Sequence, residues 1–248
     1  MWARGSLWPK VILFGDSITQ RMVMKTIPRK TTKVIKLWFH WKQCHRLRKC
    51  DVLNRGLSGY NTKWALSVLP KIITQPANQE TIAAVIVMFG ANDSALKDIN
   101  PVQHIPLTEY AENLKGVVQY LKSIDICEDK VIMVTPPPLD ESAWEKECIA
   151  KGSKLNRYNS VTNQYAAACV KVAEECGIDV LDLCTLMQMK NQDFCSYLSD
   201  GLHLSEKGNT FLETHLWALL VKKTERLPMI LPHWSNVDHL NPEASFPV

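Results

Sequence analysis

The stretch Ile82-Ala83-Ala84-Val85-Ile86-Val87-Met88-Phe89-Gly90-Ala91-Asn92-Asp93-Ser94 decides how the chain folds. Its first eight residues are the longest uninterrupted apolar run in the sequence. They are too few to cross a bilayer and lack the polar alternation of a strand with one wet face. Such a run suits a strand covered on both sides, as in a parallel sheet. Shorter runs at Val11 to Phe14, Val52 to Leu53, Val131 to Thr135 and Val180 to Leu183 read as its neighbours. Between them, Leu107 to Ile124 places Leu107, Tyr110, Ala111, Leu114, Val117, Val118 and Leu121 on one helical stripe, and Leu155 to Cys176 and Ser205 to Lys223 show comparable periods. Strands alternating with crossover helices predict an α/β fold with a doubly wound, mostly parallel sheet.

With 248 residues, 46% of them hydrophobic and 22% charged, the chain can fill one large core, and residues 1–248 read as a single domain. Disorder, collagen-like repeats and small disulfide scaffolds are excluded by this composition. No cationic head followed by an apolar core opens the sequence and no run is long enough to span a membrane, so a cytoplasmic location is expected. The eight cysteines form no Cys-x-x-Cys pair. They are expected as reduced, packed thiols, with no metal and no cofactor. Cys44-His45 is the nearest approach to a ligand pair and lacks a second pair at finger spacing.

The net charge of +4 is unevenly spread, because residues 21–49 hold ten Lys or Arg and no acid. A basic segment of this kind can meet nucleic acid or anionic lipid, but a solvated helix face is its commoner meaning. No specific nucleic-acid partner is expected. After Glu225 the chain contains Pro228, Pro232, Pro242 and Pro247 with no sustained period, and 225–248 reads as an irregular arm covering its own core or a second copy in a homo-oligomer.

Ligand groups of open parallel sheets gather beyond the carboxyl ends of the strands. Four polar blocks stand there: Gly15-Asp16-Ser17-Ile18-Thr19, Asn54 to Asn61 with its loop glycine Gly59, Gly90 to Ser94, and Asp200-Gly201-Leu202-His203. Taken alone, Ser17 is more simply a helix cap, Asn92 a turn residue, and Asp200-x-x-His203 a turn bearing a surface histidine. Together they supply a hydroxyl nucleophile, an imidazole base and a carboxylate to orient it. The Asn92 side chain and the Gly59 N–H add donors suited to an oxyanion, glycine allowing close backbone approach. Asp16 and Asp93 read as structural turn residues. Pro136-Pro137-Pro138 and Trp144 fit either a substrate wall or ordinary packing.

The four blocks, in this order, resemble those of the SGNH, or GDSL-type, hydrolase superfamily. Leu13 to Gln20, Asn54-Arg55-Gly56, Phe89 to Ser94 and Asp200 to Ser205 are similar to the isoamyl acetate-hydrolysing esterase group within it. The resemblance implies a three-layer α/β/α sandwich with a flavodoxin-like sheet and hydrolysis of small-molecule esters without metal or organic cofactor. It implies Ser17 as nucleophile, His203 as general base, Asp200 as its orienting acid, and an oxyanion hole from the Ser17 and Gly59 N–H groups and the Asn92 side chain. A preference for short acyl chains such as acetate, and a place in lipid metabolism, come from the resemblance alone.

The resemblance fails between Gln20 and about Arg48. No glycine occurs from 16 to 55 and no acid from 17 to 50. Val34, Leu37, Trp38, Trp41, Cys44 and Leu47 still form a helical stripe, so a substitute crossover helix is expected there. Two other readings stand beside the active esterase: a relative impaired by this segment, and a basic binding module. Asn92-Asp93-Ser94 is also a glycosylation acceptor pattern, and a glycan at Asn92 would block the proposed site. A general-base imidazole must be uncharged, so turnover is expected to fall on acidification through the neutral range. A flat rate profile from mildly acidic to mildly alkaline pH would contradict His203 as the base.

Overall fold

The computed structural model describes residues 8–22, 49–75, 82–189 and 193–246. Five strands, β1 (Lys10–Gly15), β2 (Asp51–Gly56), β3 (Ile82–Met88), β4 (Val131–Val134) and β5 (Asp179–Leu181), form one sheet in the order β2-β1-β3-β4-β5. Every neighbouring pair is parallel. This is the flavodoxin-like doubly wound order. The helices are α1 (Ser17–Arg21), α2 (Thr62–Ile72), α3 (Leu107–Ser123), α4 (Glu141–Ala150), α5 (Asn159–Cys176), α6 (Leu183–Gln188) and α7 (Glu206–Thr224).

The period-two alternation of the strands divides the core between two faces. Val11 and Leu13 of β1 and Ile86 and Met88 of β3 pack with Leu212, Leu216 and Leu220 of α7 on one side. Ile12, Phe14, Val85 and Val87 point the other way, toward Leu69 of α2, Leu114 and Val117 of α3 and Val172 of α5. All seven residues of β3 are buried, which accounts for its continuous apolar sequence. The result is the expected three-layer α/β/α arrangement.

Three helices were not legible from period. In α4 only Trp144 and Cys148 are buried, too few to make a stripe. Helix α2 carries Pro70 near its C-terminal end, where its sequence reads as a break. Leu183, read as the end of a strand, instead opens α6, because the Asp182 carboxylate caps the Thr185 N–H (3.1 Å). Helix α5 begins at Asn159 rather than Leu155; the Asn156 carbonyl is held outside the helix by the Leu96 N–H (2.8 Å).

The substitute helix expected within 21–49 falls almost wholly on 23–48, outside the described residues. In the C-terminal arm, the described part to 246 contains short 3₁₀ turns at Trp234–Asn236 and Pro242–Ser245, with Trp234 and Leu240 exposed. Among the described residues no helix is long and apolar enough to cross a membrane.

The turn that bears Ser17 is wedged against β2. A Cβ on Gly56 would lie 2.2 Å from the backbone nitrogen of Gln20 and 2.4 Å from its Cα. Neither is the end of a flexible side chain, so Gly56→Ala must push α1 away from β2. We expect a loss of about 1–3 kcal/mol in urea unfolding, and an unchanged midpoint would show that this contact is not as tight as described.

Candidate active site

Strand register brings the polar blocks together. Gly15 of β1 is level with Gly56 of β2 and Met88 of β3. Ser17, Gly59 and Asn92 therefore each follow within a few residues of the same carboxyl edge. The chain turns sharply after β1 because the Asp16 side chain caps α1, accepting from the Ile18 N–H (2.8 Å). Asp16, not Ser17, is thus the cap. This leaves the Ser17 hydroxyl free for another partner, and it lies 3.0 Å from His203 Nε2.

The histidine is presented by a compact loop. Leu198 and Leu204 form an antiparallel bridge, and the Ser199 N–H donates to the His203 carbonyl (2.8 Å). Inside this loop Asp200 Oδ1 accepts from the N–H groups of Leu202 (3.0 Å) and His203 (2.8 Å), leaving Oδ2 for His203 Nδ1 at 2.7 Å. Burial tends to raise the Asp200 carboxyl, but the ring and these N–H donors outweigh it and hold the group far below the usual carboxylate range. An ionised carboxylate only accepts hydrogen bonds, so Nδ1 carries a proton, and in the uncharged ring that tautomer leaves Nε2 as an acceptor for the Ser17 hydroxyl. Arg21 Nη1 lies 3.6 Å from the same Asp200 oxygen.

Gly59 has φ +81°, a left-handed conformation that favours glycine, and its carbonyl accepts from Gln103 Nε2 (3.0 Å). Asn92 Nδ2 donates to the Tyr60 carbonyl (2.9 Å), which accounts for one of its two amide hydrogens. The Asn92 side chain thus reaches the Gly59–Tyr60 loop, while its backbone carbonyl stays in its own turn, accepting from the Ala95 N–H (3.0 Å). Trp144 is buried against His203 in an edge-on arrangement, ring centroids 6.2 Å apart.

Arg157 has no local motif and was not singled out from the sequence. It is 2% exposed and lies behind Asn92. Its Nη2 donates to Asn92 Oδ1 (3.0 Å) and Gln103 Oε1 (2.8 Å), its Nε to the Ala91 carbonyl (2.7 Å), and its Nη1 to Asn156 Oδ1 (2.7 Å). Burial draws the guanidinium down to about 10, against the influence of Cys148, Asp16 and Asp93, so it remains charged at neutral pH.

Asp16 and Asp93 both accept from backbone N–H groups, Asp16 within its own turn and Asp93 across to another element. Asp93 reaches across to the start of α2, where Oδ1 accepts from the Thr62 N–H (2.9 Å) and hydroxyl. Its Oδ2 is buried without a hydrogen-bond partner. Burial pushes Asp16 up to about 7, offset in part by the Ile18 N–H, and Asp93 up to about 6, offset in part by Thr62. Among the described residues, no group of three or more His, Cys, Asp or Glu side chains is placed to hold a metal ion.

Residues 13–211 match the GDSL-like lipase/acylhydrolase family. The chain belongs to that family. It is 57% identical to the rat isoamyl acetate-hydrolyzing esterase 1 homolog (Rattus norvegicus) and 56% identical to the human one (Homo sapiens), in each case over 239 residues, 96% of this chain and 92% of the relative. Among solved structures, a lipase/acylhydrolase from Enterococcus faecalis shares the fold with a TM-score of 0.64 at 23% identity, covering 88% of this chain and 97% of that one. This GDSL-like acylhydrolase is accordingly a carboxylic ester hydrolase.

The two buried carboxyls make a prediction about the stability of the acylhydrolase. Unfolded aspartates release their protons near pH 4, whereas folded Asp16 and Asp93 keep theirs up to about 7 and about 6. Between pH 4.5 and 7 the unfolded chain therefore binds fewer protons, and these groups make stability fall as pH rises. Asp93→Asn removes one of the two contributions. The urea midpoint of that variant should lose less than the parent's between pH 4.5 and 7; equal losses would contradict the assignment.

Proposed function

We propose that the protein is a serine esterase that cleaves short-chain acyl esters, acetates among them, through an acyl-enzyme on Ser17. The observation that carries this reading is the 3.0 Å approach of Ser17 Oγ to His203 Nε2, with Nδ1 tied to an ionised Asp200.

In the first step Ser17 Oγ attacks the ester carbonyl while Nε2 takes its proton. The carbonyl oxygen becomes an oxyanion, for which the Ser17 and Gly59 N–H groups and the second Asn92 amide hydrogen are the donors. Collapse breaks the bond to the alcohol oxygen, which leaves with the proton held by His203. Water then gives a proton to Nε2 and its hydroxyl to the acyl carbon. The second collapse breaks the Ser17 ester and frees the carboxylic acid, and the proton returns to Oγ. Asp200 keeps the ring in the required tautomer and stabilises the imidazolium formed twice in the cycle.

The acetate preference is supported by the names of the mammalian relatives, which the chain matches across nearly its whole length. A series of p-nitrophenyl esters from acetate to decanoate should give the highest kcat/KM at the short end. Ser17→Ala should abolish turnover and labelling by a fluorophosphonate, and Asn92→Ala should lower kcat about 10²- to 10³-fold. A Ser17→Ala enzyme that keeps its activity overturns the nucleophile, an Asn92→Ala enzyme within threefold of the parent overturns the oxyanion role, and a maximum at decanoate overturns the substrate class.

A further inference from the structure

Asn92 and Gly59 come from different loops, and an oxyanion hole works only if their donors are already aimed at one point before charge develops. A planar amide such as that of Asn92 can also flip, exchanging its donor end for its acceptor end. Something must therefore hold the Asn92 amide by its oxygen and tie it to the loop that carries Gly59.

One buried side chain does both. Arg157 Nη2 is shared between Asn92 Oδ1 (3.0 Å) and Gln103 Oε1 (2.8 Å). Gln103, so held, turns its Nε2 to the Gly59 carbonyl (3.0 Å). Asn100 Nδ2 also donates to Gln103 Oε1 (2.8 Å), which fixes the same orientation of that amide. Guanidinium nitrogens can only donate, so the atoms they face on Asn92 and Gln103 must be oxygens, and the Nδ2 and Nε2 ends must point toward the Tyr60 and Gly59 carbonyls.

The guanidinium is itself held by further contacts. Its Nε and Nη1 are bound to the Ala91 carbonyl and to Asn156 Oδ1, and it stacks over the Trp144 ring at 5.6 Å. Trp144 Nε1 donates to the same Asn156 oxygen (3.0 Å), and its ring packs against His203.

From this arrangement we infer that Arg157 is a positioning residue of the oxyanion hole, aiming the Asn92 amide directly and, through Gln103 and the Gly59 carbonyl, anchoring the loop that carries the Gly59 N–H. This inference rests on the reading of Asn92 and Gly59 as oxyanion donors. Arg157 touches no reacting atom. Its positive charge also polarises the Asn92 amide it binds, strengthening Nδ2–H as a donor at the moment the oxyanion forms. Lysine keeps the charge but cannot make several bonds in one plane, so it cannot replace the fork.

The test uses the full chain and p-nitrophenyl acetate, with a phenylboronic acid as a tetrahedral mimic that reads the hole without turnover. Arg157→Lys should lower kcat about 10- to 100-fold, leave KM within threefold, and weaken boronic acid binding by a similar factor. Gln103→Met changes a half-buried side chain, keeps the buried guanidinium in place, and should lower kcat by about three- to tenfold with the same split. If Arg157 acts through Asn92, its loss matters less once the amide is gone. The Asn92→Ala/Arg157→Lys double variant should then be at least tenfold faster than the product of the single effects predicts.

Multiplicative effects in the double variant, or kcat and boronic acid affinity within threefold of the parent in both Arg157→Lys and Gln103→Met, overturn the inference. So does a loss confined to the thermal midpoint. If the parent hydrolyses no ester and its Ser17 takes no fluorophosphonate, the reading of the site falls and the inference with it. An active parent beside unaffected variants removes the inference alone.

Discussion

The site depends on the level at which three strands stop: Gly15, Gly56 and Met88 lie side by side at the carboxyl edge of the sheet. Beyond that line the connections diverge. Ile18 and Met22, leaving β1, join the core that contains α7, whereas Ala65 and Leu69 of α2, leaving β2, join the opposite one. Chains departing to opposite faces leave a crevice at the end of β1, the switch point of a doubly wound sheet. Ser17 stands at that crevice because Asp16 takes over the capping of α1.

Local and long-range contacts have different tasks in the site. The pairing of Asp200 with His203 spans three positions and is built by a turn in which the carboxylate also binds two backbone N–H groups, so it assembles with its own loop. The Ser17–His203 bond joins positions 186 apart and exists only once the sheet and α7 are packed. The loop's attachment is correspondingly firm: the Ser205 N–H donates to the Tyr197 carbonyl, the Ser205 side chain caps α7, and a Cβ on Gly208 would fall 2.0 Å from the Tyr197 oxygen. Any slackening there would lengthen the contact between the His203 ring and the Ser17 hydroxyl before it disturbed the pairing of the ring with Asp200.

What could be read from the chain follows from the range of the signal. Strand β3 was legible because burial on both faces leaves a continuous apolar run, and α3 because its stripe meets a whole layer. Ser17, Gly59, Asn92, Asp200 and His203 stand in short blocks just after strands or in a tight turn, so position and residue type pointed to them together; the roles given to them remain our proposal. Arg157 carried no such mark. Its partners Asn92 and Gln103 lie 65 and 54 positions away, and Lys154-Leu155-Asn156-Arg157 reads as an ordinary solvated stretch. Capping gave no hint either, because Tyr158 before the true start at Asn159 makes no side-chain capping bond; that start leaves Arg157 outside the helix.

Burying that arginine creates a charge problem whose solution explains the two aspartates. An isolated guanidinium in this interior would be costly, and hydrogen bonds to Ala91, Asn92, Gln103 and Asn156 offset part of the cost without supplying a counter-charge. Asp16 and Asp93 both feel Arg157, but one positive charge can compensate only one of two carboxylates. Burial therefore pushes both carboxyls upward and favours a state in which the pair retains a proton. Neutralising the arginine would remove the charge that helps Asp93 remain ionised with Oδ2 unpartnered. The same charge that aims the Asn92 amide is thus needed by the carboxylate that holds the start of α2, beside the loop carrying Gly59.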